Sequence, residues 1–525
     1  MLEHQVKIRL LIFQIIIVLF FGLFTVQLWR LQVVEGATYQ QLADRNRFRT
    51  VEIEAPRGII YDRNNQLLVR NRPIFDVVVI PAFLPDDDTE KAAIYAKLSD
   101  LLELPITNRG ERKIASRNAY FRSFLHHEYT RLPNRQVKNS RSRLLSTAPQ
   151  GIKDAIDNSP IFAPYNPVLI AEDVDPRVVA IIEEDRLNLP GVLIETSSIR
   201  EYLDGELTAH VLGYVGPIPP SRVADYPEPI YNPNDDVGLV GIEAQYQDYL
   251  HGVKGQETIE VDVTGRKIRT VGEKDPANPG QNLTLTLDLE LQKQVSEALT
   301  NALEESKGQS AAAIVLNVHT GEILAMVSLP TFDNNLFSEG ISAREFGLLS
   351  ENEATPLVNK TVTGLYPPAS TFKVIVASGA LQENTVSPNR IFLDQGILYL
   401  PNKFFPDNPK LAQPFYGWKE DGLGKVDVVS ALAWSSNIYF YQVGGGYEPT
   451  GYEGLGLDNL IRYSEMFGYG NITGIDIPGE AAGLIPTTRW KRLNYGETWV
   501  TGDTYNMSMQ SSTPIRPEPT SLPKS

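Results

Sequence analysis

An uncharged apolar run, LLIFQIIIVLFFGLFTVQLW, occupies residues 10–29. A run of about 20 such residues is long enough to cross the hydrocarbon core of a bilayer as a helix. Lys7 and Arg9 precede it and no small-residue cleavage pattern follows, which favours an uncleaved anchor. We therefore expect a cytoplasmic tail at residues 1–9, a transmembrane anchor at residues 10–29 and an extracytoplasmic body after about residue 36. A buried core helix is the alternative interpretation of this run.

The remaining composition restricts the chemistry that the chain can carry. Its 525 residues include 64 acidic and 48 basic side chains, a net charge of −16, which argues against a nucleic-acid binder because phosphate contacts need a clustered basic surface. The chain has no cysteine, so thiolate metal sites, disulfides and cysteine nucleophiles are excluded, and its 6 histidines show no zinc-type spacing. We therefore predict neither a metal nor a cofactor.

One segment departs from this acidic balance. Between Arg109 and Arg143 the chain carries ten Lys or Arg residues and two acids. Two interpretations stay open: a solvated insertion, or a basic patch that faces anionic headgroups or a pyrophosphate-bearing lipid.

Local patterns predict two or more mixed units, because 525 residues exceed what one core usually holds. FDVVVI at residues 75–80 indicates a strand, and Thr89 is placed to cap a helix that Pro105 ends. After a domain boundary near residue 280, the sequence predicts an alternating segment, the helix LELQKQVSEALTNALEES, and a hairpin of two apolar strands that turns at Thr320-Gly321.

The clearest catalytic pattern is Ser370-x-x-Lys373, which follows the structure-breaking YPPA and begins an apolar helix. Residues i and i+3 share a helix face, so the Lys373 amine can reach the Ser370 hydroxyl, and the helix N-terminus favours a developing oxyanion. A lysine partly desolvated by apolar neighbours can lose its proton and act as the base that activates serine. Taken alone, the pattern also fits a capped helix with a surface lysine.

A second motif, Ser435-Ser436-Asn437, lies 62 residues beyond Lys373 and is predicted to project from a turn between helices. Ser-x-x-Lys followed by Ser-x-Asn resembles the first two active-site motifs of the penicillin-binding proteins and serine β-lactamases. Further resemblance to class B penicillin-binding proteins is carried by NRFR, APRGIIYDRNNQLL, IREY, AHVLGYVG, GIEAQYQDYLHGVKG, TGEILAMVSLPTFDNN, GLYPPASTFK and GIDIPGEAAGLIP. The NRFR start and the GIE segment most resemble the elongation-type subfamily, penicillin-binding protein 2, with the septal type as runner-up.

The resemblance implies an α+β multidomain architecture in the bacterial plasma (inner) membrane. A single N-terminal transmembrane helix would carry an elongated mixed α/β pedestal, or dimerisation, domain at residues 36–280. A transpeptidase domain of the penicillin-binding and serine β-lactamase type would follow at residues 281–509, with the bulk of the chain in the periplasm.

The resemblance also implies a reaction and a set of roles. Ser370 would be the acyl-ester nucleophile, Lys373 the general base, Ser435 a proton relay and Asn437 the residue that orients substrate and Lys373. The oxyanion hole would combine the Ser370 amide with an amide from a later strand. The implied ligands are peptidoglycan stem peptides and β-lactams, and the implied partners are a membrane-embedded polymerase of the shape, elongation, division and sporulation family and other elongation-complex proteins.

The sequence departs from this family in three places. The third motif, Lys-Thr-Gly, is not found after Ser435, and Lys360-Thr361-Val362 precedes Ser370 and lacks the glycine. Residues 510–525 are proline-rich, which predicts a disordered tail outside the family. Ala369 stands where the family often has glycine. We therefore expect a C-terminally truncated transpeptidase domain that lacks its last three strands and is catalytically impaired. The alternatives are a non-catalytic wall-assembly scaffold and a membrane-bound β-lactam sensor.

Some polar and aromatic residues have a structural interpretation as well as a functional one. Arg57 and Asp62 are expected to form a structural ion pair. Trp434 and Tyr439 line the substrate groove or belong to the core, and the core is the favoured interpretation. His126-His127 has no carboxylate at ligand spacing, so no metal site is predicted there.

Overall fold

The computed structural model of the chain describes residues 19–34, 48–107, 151–158, 167–227, 230–232, 235–261 and 267–509. Residues 19–29 are helical, and within the described ranges no helix combines the length and the apolar character needed to cross a membrane. The first part of the predicted anchor, the basic segment with its two adjacent histidines, and the predicted tail at 510–525 lie outside the described residues.

The chain folds as two compact units, Met1–Val358 and Asn359–Ser525. The described strands of the first unit are β1 Phe48–Ile53, β2 Ile60–Tyr61, β3 Leu67–Val79, β4 Val168–Ala171, β5 Val192–Tyr202, β6 Tyr214–Pro217, β7 Asp236–Val240, β8 Gly255–Val261, β9 Lys267–Asp275, β10 Leu283–Thr284, β11 Ala311–Leu316 and β12 Ile323–Leu329. Its named helices are α1 Asp88–Leu102, α2 Ile152–Asp157, α3 Pro176–Glu184, α4 Gly205–Leu212, α5 Gly241–Gln245, α6 Gln247–Leu250, α7 Leu289–Ser306, α8 Asn335–Ser338 and α9 Ala343–Ser350.

The long strand β3 organises the larger sheet of the first unit. It runs antiparallel to β5 from Val69↔Tyr202 to Val79↔Val192, and it also pairs with β2 and β4. Its apolar end is buried with the inner face of α1 in one core. The strand predicted at 75–80 is confirmed, although it begins earlier, at Leu67.

Helix α1 is also present as predicted, but a different residue caps it. The carboxylate of Asp87 accepts the amides of Thr89 and Glu90, so the helix begins at Asp88 and Thr89 lies inside its first turn. An aspartate at the N-cap satisfies otherwise unpaired amides and carries a negative charge at the positive end of the helix.

The predicted ion pair between Arg57 and Asp62 is wrong. Arg57 Nε instead donates to Glu243 at 2.6 Å, and Arg200 Nε donates to the other oxygen of the same carboxylate at 2.7 Å. Asp62 accepts backbone amides, including those of Asn64 and Gln66 at 2.7 Å, and so stabilises a tight turn. The true partner of Arg57 lies 186 residues away in sequence, beyond the reach of a local pattern.

The elements predicted after residue 280 are largely confirmed. Helix α7 covers the predicted sequence, and β11 and β12 pair as an antiparallel hairpin. Of the alternating segment only β10 is a strand, parallel to β2. These elements pack within the first unit.

The second unit is mainly helical. Its described helices are α10 Lys360–Thr363, α11 Lys373–Gln382, α12 Val428–Ala433, α13 Asn437–Gly445, α14 Leu457–Met466, α15 Thr488–Tyr495 and α16 Thr501–Met509. Its described strands are β13 Phe392–Asp394, β14 Ile397–Leu400, β15 Gln413–Tyr416 and β16 Gly424–Val426. They form the antiparallel pairs β13–β16 and β14–β15.

The core of the second unit surrounds α11 and α13. Both helices are apolar on most sides, as expected for helices that neighbours cover all round. Helix α16 packs so closely on α13 that a Cβ placed on Gly444 would lie only 1.8 Å from Ser508 Oγ. The buried pair α11 and α13 therefore provides a rigid support for the residues at their N-terminal ends.

Candidate active site

Ser370 lies at an exposed position just before α11. Two prolines precede it, and the chain then forms a 3₁₀ turn, Ala369–Phe372, that leads directly into the helix. Ser370 itself is exposed, whereas Phe372 and Lys373 are buried. The Ser370 hydroxyl is therefore accessible to a ligand while Phe372 and Lys373 are held in the core.

Lys373 occupies the centre of the candidate site. Its Nζ donates to the Ser435 carbonyl, to Ser435 Oγ and to Asn437 Oδ1, each at 2.8 Å. An ammonium group has three donors, so this arrangement satisfies all of them. The side chain is only 1% exposed, and the Phe440 ring centroid lies 5.8 Å from Nζ.

The turn between α12 and α13 brings Ser435 and Asn437 to Lys373, as the sequence predicts. Ser435 has a φ of +54°, a left-handed conformation that is uncommon outside glycine. Ser436 caps α13 by accepting the Tyr439 amide at 3.1 Å, and Asn437 begins that helix. The backbone thus turns sharply enough for residues 435 and 437 to face the same amine.

Ser435 connects the lysine to the serine. Its Oγ donates to Ser370 Oγ at 3.0 Å, and it accepts from Lys373 Nζ at 2.8 Å. The spacing of Ser370 and Lys373 predicts a direct contact, but no hydrogen bond joins them among the described residues, because the Lys373 donors are directed at Ser435 and Asn437. A proton can therefore pass between Lys373 and Ser370 through one intervening hydroxyl.

Burial changes the acid–base behaviour of Lys373. Desolvation lowers its pKa to about 8, and the negative charge of Asp394 opposes this decrease. At pH 7 about a tenth of the molecules then carry the neutral amine, compared with about 0.03% at the ordinary pKa. Lys373 is thus suited to accept a proton near neutral pH.

Asp394 and Ser436 are buried polar residues of this region that motif comparison does not single out. Ser436 Oγ donates to Asp394 Oδ2 at 2.5 Å, directly behind the Ser435–Asn437 turn. Ser436 occupies the variable position of Ser-x-Asn, and Asp394 belongs to a strand without a recognisable motif. Among the described residues, no group of three or more His, Cys, Asp or Glu side chains could hold a metal ion.

The two aromatic residues near Asn437 have different environments. Tyr439 is completely buried and belongs to the core, as favoured. Trp434 is 60% exposed, so the core interpretation is wrong for it. Its carbonyl accepts the indole N–H of Trp418 at 2.8 Å, which ties the end of α12 to the segment after β15. Trp434 is the C-terminal cap of α12, immediately before the left-handed Ser435.

Ala369 has a φ of +51°, in the left-handed region that favours glycine. We expect Ala369→Gly to raise the free energy of unfolding of the second unit by about 1 kcal/mol, because the replacement removes the Cβ strain of an L residue. Protection of α11 amides from hydrogen exchange measures this change. As a control, Ala377→Gly in the buried middle of α11 should lower protection. Equal or lower protection in Ala369→Gly would contradict the expected strain.

Comparisons with known proteins match two family domains to the chain, and the second match begins within the first unit. The family model of the penicillin-binding protein dimerisation domain matches residues 52–285, and that of the penicillin-binding protein transpeptidase domain matches residues 311–511. The peptidoglycan D,D-transpeptidase MrdA of Haemophilus influenzae is 31% identical over 94% of this chain and 65% of its own length. The protein of the same name from Salmonella typhimurium LT2 is 30% identical over 94% of this chain and 68% of its own length. The chain thus spans about two thirds of these relatives, and slightly less of the first.

Solved structures have the same fold. Penicillin-binding protein 2 of Helicobacter pylori, in a complex with MreC, matches 88% of this chain and 74% of its own chain with a TM-score of 0.65 at 22% identity. A chain of a peptidoglycan synthase complex that coordinates polymerization and crosslinking matches 95% of this chain and 74% of its own, with a TM-score of 0.58 at 26% identity. With its mixed α/β dimerisation and transpeptidase domains and its homology to the MrdA enzymes, the chain belongs to the penicillin-binding protein family.

Proposed function

We propose that this chain is a penicillin-binding peptidoglycan D,D-transpeptidase of the elongation type, which cross-links stem peptides during cell-wall elongation and the maintenance of cell shape. The observation that carries this proposal is the hydrogen-bonded series from Ser370 through Ser435 to the buried Lys373. The homology to MrdA enzymes supports the substrate class.

In the proposed acylation step, neutral Lys373 accepts the Ser370 proton through Ser435 Oγ. Ser370 Oγ bonds to the carbonyl carbon of the penultimate D-alanine, and its own amide is one donor to the oxyanion. The peptide C–N bond then breaks, and Ser435 passes the proton to the nitrogen of the departing D-alanine. Asn437 keeps Lys373 in place through its Oδ1 contact.

The proposed second step restores the serine. The amine of a neighbouring stem peptide attacks the ester carbonyl, the C–O bond to Ser370 breaks, and the proton lost by the amine returns to Ser370 through Ser435. The net result is one new peptide bond between strands and one released D-alanine. A β-lactam follows the first step only, since opening of its ring leaves an ester that persists on Ser370.

The full chain, treated with benzylpenicillin and measured by intact mass spectrometry, tests the proposal. We expect a gain of one benzylpenicilloyl group that is absent in Ser370→Ala. This gain would contradict the catalytic impairment that the missing Lys-Thr-Gly motif predicts, because acylation requires an assembled nucleophile. If a folded sample acquires no adduct, the transpeptidase proposal fails. The alternative is then a non-catalytic wall-assembly scaffold.

The acylation rate should depend on pH through Lys373. Because its pKa is lowered to about 8, the neutral base is scarce in acid and its population rises as pH increases. We expect the rate constant for penicilloylation to rise about tenfold from pH 6 to pH 7 and to level off above about pH 8. Quenched time courses by mass spectrometry between pH 6 and pH 9 measure it. A rate that is constant over this range would exclude Lys373 as the base.

The location and partners are part of the same proposal. We place the chain in the bacterial inner membrane, held by one transmembrane helix at residues 10–29 with the N-terminus in the cytoplasm. We divide the rest into a pedestal at 36–280 and a transpeptidase domain at 281–509, bounds that the family matches support. The proposed partners are a membrane-embedded glycan polymerase and elongation-complex proteins. The complex of penicillin-binding protein 2 with MreC and the peptidoglycan synthase complex support this proposal.

A further inference from the structure

Asp394 is a buried carboxylate that takes no part in the proposed proton transfers. It is the last residue of β13, opposite Gly424 of β16, and its side chain is buried at 3% exposure. Its Oδ1 accepts the Gly396 amide at 2.9 Å, and its Oδ2 accepts Ser436 Oγ at 2.5 Å. Among the described residues it forms no ion pair with Lys, Arg or His. A buried carboxylate without an ion-pair partner is costly to the fold, and this cost indicates a role for its charge.

Ser436 connects Asp394 to the active-site turn through hydrogen bonds. It is completely buried, donates to Asp394 and accepts the Tyr439 amide at the start of α13. Its neighbours in sequence, Ser435 and Asn437, supply all three acceptors of the Lys373 ammonium. Anchoring the middle residue of this motif therefore fixes both of its outer residues.

We propose that Asp394 is a positioning residue of the active site, which holds Ser435 and Asn437 at Lys373 through Ser436 and whose negative charge stabilises the Lys373 ammonium. The inference rests on the proposed function for its catalytic consequence, but the effect on Lys373 is independent of turnover.

The effect of Asp394 on the pKa of Lys373 can be distinguished from that of the other neighbours, which are uncharged near pH 8. Burial lowers the pKa of Lys373, and among the described residues Asp394 is the charged group that opposes this. The tyrosines on the adjoining helices, Tyr439, Tyr441 and Tyr505, have pKa values raised by burial, so they stay neutral near pH 8. The remaining neighbours, Ser370, Ser435, Asn437 and the Phe440 ring, carry no charge in this range. Asp394 therefore offsets part of the desolvation and raises the pH at which Lys373 loses its proton.

Two variants separate the charge from the anchoring contact. Asp394→Asn keeps the shape: its amide oxygen can accept the Gly396 amide, and its NH₂ can donate to Ser436 Oγ. We expect the midpoint of the pH profile of penicilloylation to move below that of the wild type, with a plateau rate within about threefold. Ser436→Ala keeps the charge and removes the anchor, so we expect a plateau rate tenfold to a hundredfold lower without a shift to lower pH.

A second readout keeps the test independent of catalysis. In the full chain labelled with [ε-¹³C]lysine, the Lys373 signal, assigned by its loss in Lys373→Met, should titrate at lower pH in Asp394→Asn than in the wild type. Equal midpoints in the two proteins would overturn the proposal, even if Asp394→Asn unfolds more easily, since a purely structural carboxylate alters stability alone. If the wild type forms no penicilloyl adduct but the Lys373 midpoint shifts, the transpeptidase proposal fails and the effect of Asp394 on Lys373 stands.

Discussion

Replacing Lys373 with methionine is expected to slow penicilloylation of Ser370 by about a thousandfold. A positioned general base contributes between about a hundredfold and ten-thousandfold to such a step. Methionine has a similar length and suits an apolar site, so the space beside Phe440 stays filled, while the group that accepts the Ser370 proton is removed. Rate constants from quenched mass spectrometry at pH 8 measure the loss.

Lys360 provides a matched control for this experiment. It is a second buried lysine of the same unit, on α10, and burial lowers its pKa as well. We expect Lys360→Met to change the rate by less than about threefold, because the hydroxyls of Ser370 and Ser435 are connected to Lys373, whereas Lys360 lies on a different helix. A comparable loss in both variants would mean that removing a buried charge disturbs the unit as a whole, and the assignment of Lys373 as base would not stand.

The catalytic residues could be predicted because they form two short motifs whose order and spacing resemble those of the penicillin-binding proteins. Ser370 and Lys373 are one helical turn apart, and Ser435 and Asn437 flank one residue of a tight turn. The sequence could not predict that Lys373 donates to Ser435 rather than to Ser370, since this depends on how α11 packs on α13. The left-handed backbone of Ser435 is likewise set by the surrounding turn, and the sequence has no glycine at this position from which it could be predicted.

The success of each fold prediction depended on how far apart in sequence the interacting residues lie. The strand at 75–80, helix α7 and the β11–β12 hairpin follow from periodicities of a few residues, and the structure contains them. The partners of Arg57 and of Ser436 lie 186 and 42 residues away, so they depend on tertiary packing. Buried polar pairs of this kind are where sequence reasoning is weakest, because nothing local distinguishes a buried polar residue from an exposed one.

The buried cluster of the first unit should be the most sensitive point of that unit to a single substitution. Glu243 is completely buried and holds Arg57 and Arg200, one on each carboxylate oxygen. We expect Glu243→Gln to destabilise the unit by about 3–5 kcal/mol, because the buried guanidinium of Arg200 and the largely buried one of Arg57 then lose their shared counter-charge. Hydrogen exchange of the β3 and β5 amides measures this, since a whole-chain unfolding curve would combine two units.

The pH dependence and a surface pair distinguish this effect from a general loss of contacts. Burial alone would raise the pKa of Glu243, but the charges of Arg200 and Arg57 outweigh it and lower the pKa below the ordinary value. The carboxylate therefore stabilises the fold above its unfolded pKa, and this contribution is lost as pH falls through the folded pKa. The difference in unfolding free energy between the wild type and Glu243→Gln should shrink accordingly in acid.

The control is a more exposed ion pair of the same unit. Glu201→Gln, which removes the partly exposed partner of Arg70, should cost less than about 1 kcal/mol. If both substitutions lower the free energy of unfolding by the same amount, burial of the Glu243 cluster does not make this unit more sensitive to its loss.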